Sequence, residues 1–104
     1  MHLLNAFSLN MLPSATPCTI QVKPVGLIEA QALAATTTSA VGHADTATVF
    51  ASVLGVPVPC ARVNVALKVG DTALVGQYRG PRLPEGATTL PTGATIEWVI
   101  VTVS

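Results

Sequence analysis

Residues 95–103, TIEWVIVTV, decide how this chain folds. The run is rich in Ile, Val, Thr and Trp, the residues that suit a pleated strand. A strand with one wet face alternates apolar and polar side chains. Here Ile96, Trp98 and Ile100 sit on one alternating set, and Val99, Val101 and Val103 on the other. A strand apolar on both faces belongs inside a sheet that is covered on both sides.

Working outward, residues 72–79, TALVGQYR, form a second strand after a turn at Gly70-Asp71. Ala73, Val75, Gln77 and Arg79 fall on one face and Leu74 and Tyr78 on the other. Between these strands, Gly80 to Gly93 carries Pro81, Pro84 and Pro91 and is read as loop. Val63–Val69 alternates weakly and is expected to be a short edge strand. Ahead of it, Ala47, Phe50, Ala51 and Leu54 recur at i, i+3, i+4 and i+7, which is one apolar stripe of a helix. Gly42-His43-Ala44-Asp45 turns into that helix, Gly55 ends it, and Pro57 and Pro59 prevent its return. Thr36 to Val41 is too β-branched to continue a helix and is read as a strand. Val25–Ala35 favours helix, with Pro24 in its first turn. Thr19–Lys23 and His2–Asn5 complete the strands.

Strands and helices interleave, so residues 1–104 are expected to form a single α/β domain. Its mixed sheet would hold about five strands, with helices packed on it. A chain of this length buries only a modest core. Half the residues are hydrophobic and 10% are charged, which excludes a disordered chain. So little charge also implies that part of the surface is covered by a partner, most simply a second copy. The apolar runs fall short of the ~20 residues a membrane-spanning helix needs, and the N-terminus lacks the basic region of a signal peptide. Membrane contact is therefore not expected, and the location expected is cytoplasmic. Cys18 and Cys60 show no metal-ligand spacing and read as two free thiols.

Formal net charge is zero, which argues against a protein that tracks long nucleic acid. Yet the only arginines, Arg62, Arg79 and Arg82, all lie within residues 62–82, a pattern suited to a small anionic ligand. His43 stands at a helix start, where free backbone N–H groups and the helix dipole attract anions. A histidine there can hold a phosphate and protonate a leaving oxygen. In RLPEG, residues 82–86, Pro84 and Gly86 make a tight turn that brings Arg82 and Glu85 together. Arg82 could clamp a phosphate, and Glu85 could orient it. Asn5, Ser8 and Asn10 are uncharged donors and acceptors in an apolar opening stretch, suited to base edges and ribose. Taken singly, each has an ordinary alternative: a capping histidine, a surface ion pair, local turn chemistry. P-loop, GxGxxG, HExxH and GxSxG patterns are absent. The acidic residues are scattered singly, so a two-metal site is not expected.

Four blocks appear in order: LLNAFSLNML at 3–12, AVGHADTATVFASVLGVPVP at 40–59, ARVNVALKVGDTALVGQYRG at 61–80 and RLPEG at 82–86. Together they resemble the viral ring nucleases, the type III anti-CRISPR proteins. The resemblance implies an α/β homodimer that binds cyclic tetra-adenylate across its interface. Such proteins cut the ring without metal or cofactor into linear di-adenylates and so silence type III CRISPR signalling. By matching position, His43 would be the general acid, Arg82 and Glu85 the active-site pair, and Asn5, Ser8, Asn10, Arg62 and Gln77 ligand contacts. Two departures stand out: Gly80-Pro81 adds length before Arg82, and Pro91 argues against the helix usual after the RLPEG block. Two other readings stand beside this one, the first of them on the same residues. One is a protein that sequesters a cyclic nucleotide without turnover. The other is an interaction module whose apolar surface docks another protein.

Overall fold

The computed structural model describes residues 1–104. Its elements are β1 (His2–Leu4), β2 (Ile20–Val25), α1 (Leu27–Ala34), β3 (Thr38–Ser39), α2 (Ala44–Leu54), β4 (Thr72–Arg79) and β5 (Thr95–Val103), with a 3-10 turn at Leu9–Met11. They build one five-stranded mixed sheet in the order β2-β5-β4-β1-β3. β1 runs parallel to both β3 and β4, while β5 runs antiparallel to β4 and β2. The strand apolar on both faces, β5, is indeed an interior strand.

Both helices cover the same face. Ala30 and Ala34 of α1 and Ala47, Phe50 and Leu54 of α2 pack on Leu3, Leu74 and Trp98. The rings of Phe50 and Trp98 meet edge to face, with centroids 5.0 Å apart and planes at 63°, a favoured geometry for aromatic pairs. Gly76 lies opposite Trp98 in the ladder. A Cβ at residue 76 would come within 2.7 Å of the Phe50 ring, so only glycine leaves the rings this room. Helix α2 ends at Gly55, whose φ of 72° is the left-handed cap expected there.

The opposite face buries Leu4, Ala73, Val75, Val101 and Val103. Residues 63–69 form no strand there, contrary to the sequence expectation. They run across the face as irregular chain, burying Val65 and Leu67. The Leu67 N–H donates to the Met11 carbonyl at 2.7 Å instead of joining the sheet. Cys18 packs at the rim of this cluster, Cys60 is exposed, and both are free thiols.

Two further expectations are corrected. Pro24 belongs to β2, opposite Val99, and not to helix α1, which starts at Leu27 after Gly26. β2 is an edge strand, where a missing N–H does not interrupt the sheet. The strand expected over residues 36–41 shrinks to Thr38–Ser39. The hydroxyls of Thr36 and Thr37 instead donate to the Leu33 and Ala34 carbonyls, each at 2.8 Å. The same two carbonyls also accept the Thr36 and Thr37 N–H groups, at 2.9 and 3.1 Å, so both threonines close the end of α1 and do not join the sheet. No helix is long and apolar enough to cross a membrane.

Candidate functional site

The topology gathers three chain segments at one edge of the sheet. β1, β3 and β4 are mutually aligned, so their carboxyl ends point the same way. Asn5 follows β1, Gly42-His43 follows β3, and Gly80–Gly86 follows β4. In open α/β sheets the crevice beyond such strand ends is the usual place for a ligand.

An open cleft of about 760 Å³ lies there, lined by His43, Asp45, Arg62, Tyr78 and Arg82 among others. His43 is the N-cap residue of α2, with extended backbone and an exposed side chain that makes no capping bond. The first-turn N–H groups of Ala44, Asp45 and Thr46 have no backbone acceptor, and all three residues line the cleft. Arg62 is braced by a bond from its Nε to the Gly42 carbonyl at 2.9 Å. Its remaining guanidinium donors stay free, and Arg82 makes neither a hydrogen bond nor an ion pair. Two arginines and a helix N-terminus thus face one hollow, an arrangement that attracts anions.

The cleft continues on both sides. One adjoining hollow of about 510 Å³ is lined by Asp45, Arg82, Leu83, Pro84 and Glu85. Another of about 500 Å³ is lined by Asn5, His43, Arg62 and Asn64, among others. Asn5, His43, Arg62, Arg82 and Glu85 therefore border a groove of three neighbouring hollows that share lining residues. The RLPEG turn forms as expected: the Ala87 N–H donates to the Pro84 carbonyl at 3.0 Å, and Gly86 takes the positive φ, 79°, that a type II turn needs. Arg82 and Glu85 share a hollow but form no ion pair; the one ion pair in the chain joins Arg79 and Glu97. Residues 87–94 contain no helix, in line with Pro91.

Three sequence candidates lie apart from this groove. Ser8 caps the 3-10 turn, accepting the Asn10 N–H at 3.2 Å, and Asn10 is exposed within it. Neither lines the three hollows. Gln77 projects from the sheet face opposite Tyr78, where Arg79 Nη2 donates to its Oε1 at 3.4 Å. The arginine cluster is split accordingly: Arg62 and Arg82 line the cleft, whereas Arg79 pairs across strands with Glu97 on the other face.

Two residues of the groove were missed from sequence. Asp45 reads only as part of the turn into the helix, yet its Oδ1 accepts the Gly86 N–H at 3.2 Å, across the cleft. Tyr78 reads only as a strand residue on the face of Leu74, and its hydroxyl donates to the Pro81 carbonyl. A phenol near the carboxyl end of a strand, followed by a proline-rich loop, was the available signal.

The fold and groove define a small α/β domain with an anion-attracting crevice beyond its parallel strands. The family model described as STIV B116-like matches residues 1–94, and the chain belongs to that family. Its fold is similar to that of B116 of Sulfolobus turreted icosahedral virus, with a TM-score of 0.77 and 27% sequence identity over 97% of each chain. No curated protein matches the sequence.

Proposed function

We propose that this protein is a metal-independent ring nuclease that binds cyclic tetra-adenylate as a homodimer and cuts it into two linear di-adenylates. The observation that carries this reading is the meeting of His43, Arg62 and Arg82 at one helix N-terminus. In the reaction a ribose 2′-hydroxyl attacks the adjacent phosphorus, giving up its proton to solvent water, and the bond from phosphorus to the 5′-oxygen breaks. The product ends are a 2′,3′-cyclic phosphate and a 5′-hydroxyl. The groove aligns the hydroxyl, Arg82 offsets the charge that develops on the phosphoryl oxygens, and His43 gives its proton to the departing 5′-oxygen. Glu85 orients the ligand beside Arg82, and Asn5 and Arg62 hold the neighbouring nucleotide. A two-fold dimer presents two histidines to opposite sides of a four-fold ring, so two cuts give equal halves. Acting in the cytoplasm of an infected cell, such an enzyme would switch off type III CRISPR signalling.

The test is incubation with cyclic tetra-adenylate in EDTA, followed by chromatography. Wild-type protein is expected to yield di-adenylate, and His43→Ala to slow single-turnover cleavage by about a hundredfold or more. An intact ring at high enzyme concentration, or full activity of His43→Ala, would overturn the reading. One observation favours a second reading: the side chains of His43, Arg82 and Glu85 are all exposed, and none is held by a hydrogen bond. A sequestering protein needs less preorganisation than a catalyst. Tight binding by calorimetry with no product would select it.

A further inference from the structure

The segment that carries Arg82 and Glu85 has no regular structure, and no residue from Arg82 to Gly86 is buried. Left to itself, such a loop would sample many positions, and an arginine on it would meet a developing charge only part of the time. Two side-chain bonds tie it to the rigid scaffold. The Tyr78 hydroxyl, at the end of β4, donates to the Pro81 carbonyl just before Arg82. The Asp45 carboxylate, in the first turn of α2, accepts the Gly86 N–H at 3.2 Å just after Glu85. The loop's other backbone bonds, Ala87 to Pro84 and Ala94 to Pro91, are internal turns and fix nothing to the sheet or the helices.

We propose that Asp45 and Tyr78 are positioning residues that clamp the Arg82–Glu85 turn at its two ends and hold it against the helix that carries His43. The proposal rests on the ring-nuclease reading for its kinetic readout alone. Asp45 lies only two residues after His43, so its bond to Gly86 couples the two halves of the cleft through one short path. A carboxylate beside a phosphate site repels the ligand, so its presence there calls for a compensating task. The ordinary task of an acidic first-turn residue is to offset the helix dipole. That task needs a negative charge, whereas the clamp needs only an acceptor oxygen at the same place. Asparagine supplies the acceptor without the charge, so Asp45→Asn separates the two roles.

The experiment compares wild type, Asp45→Ala, Asp45→Asn and Tyr78→Phe in single-turnover cleavage of cyclic tetra-adenylate, in calorimetric binding, and in amide hydrogen exchange at Gly86. Asp45→Ala is expected to lower the cleavage rate about tenfold with ring affinity changed less than about threefold, because Arg82 acts mainly on charge formed in the transition state. Exchange at Gly86 rises about fivefold in the same variant. Asp45→Asn restores both toward wild type, and Tyr78→Phe gives a smaller rate loss of about threefold. The proposal is overturned if Asp45→Asn is as impaired as Asp45→Ala, if the loss falls on affinity and not on rate, or if Gly86 exchange is unchanged in Asp45→Ala. Should wild-type protein leave the ring intact, the ring-nuclease reading falls, while the Gly86 exchange comparison still decides whether the clamp exists.

Discussion

The helix-covered face of the sheet carries the edge-to-face rings of Phe50 and Trp98 under two helices. The opposite face is closed by irregular chain, with Val65 and Leu67 lying on Ala73, Val75 and Val101. A helix satisfies its own backbone, so its cover costs no bonds from the sheet beneath. An irregular cover must find its partners singly, as Leu67 does at the Met11 carbonyl. The first face therefore concentrates stability, while the second spreads it over segments that leave polar groups near the groove, Asn5 and Arg62 among them.

Substitutions on each face test this contrast. The largest effect is expected from Phe50→Ala, which deletes one ring of the pair and opens a cavity under both helices. It should cost about 4 kcal/mol by urea denaturation. Leu67→Ala removes a buried side chain whose cover can partly collapse, and a loss of about 2 kcal/mol is expected by the same measurement. A loss equal to that of Phe50→Ala would erase the contrast between the faces. The smallest effect belongs to Arg79→Ala. Its ion pair with Glu97 spans 3.1 Å, but both side chains are more than half exposed. Denaturation should move by less than about 0.5 kcal/mol, and added salt should change it little.

The contrast also explains what could be read from sequence. Helix α2 was legible because its stripe at Ala47, Phe50 and Leu54 repeats with helical period and meets one flat surface. The interior place of β5 was legible because a strand covered on both faces has no polar side to show. Residues 63–69 misled because an extended segment laid across a sheet buries alternate side chains much as an edge strand does. Pro24 misled because a proline suits an edge strand as well as a helix start. In the groove, His43, Arg82, Glu85 and Asn5 were legible because each sits next to a strand end or a turn signal, and Arg62 because it belongs to the one cluster of arginines. Gln77 was placed by alignment alone, yet strand alternation puts it with Arg79 and away from Tyr78. Asp45 and Tyr78 escaped because their partners are backbone groups of a loop, and backbone groups leave no mark in residue identity.

The three-residue strand β1 carries one more consequence. His2 pairs with Thr38 on one side and Ala73 on the other, so the middle of the sheet closes only when residue 2 meets residue 73. That contact cannot form early from local structure, because its loop-closure entropy is spent before any packing rewards it. Folding should therefore be slow beside that of a helical bundle of equal length, with both helices waiting on a docking surface that is completed last. The groove beyond β1, β3 and β4 is assembled in the same step, so ligand binding should appear only with the final, cooperative phase of refolding.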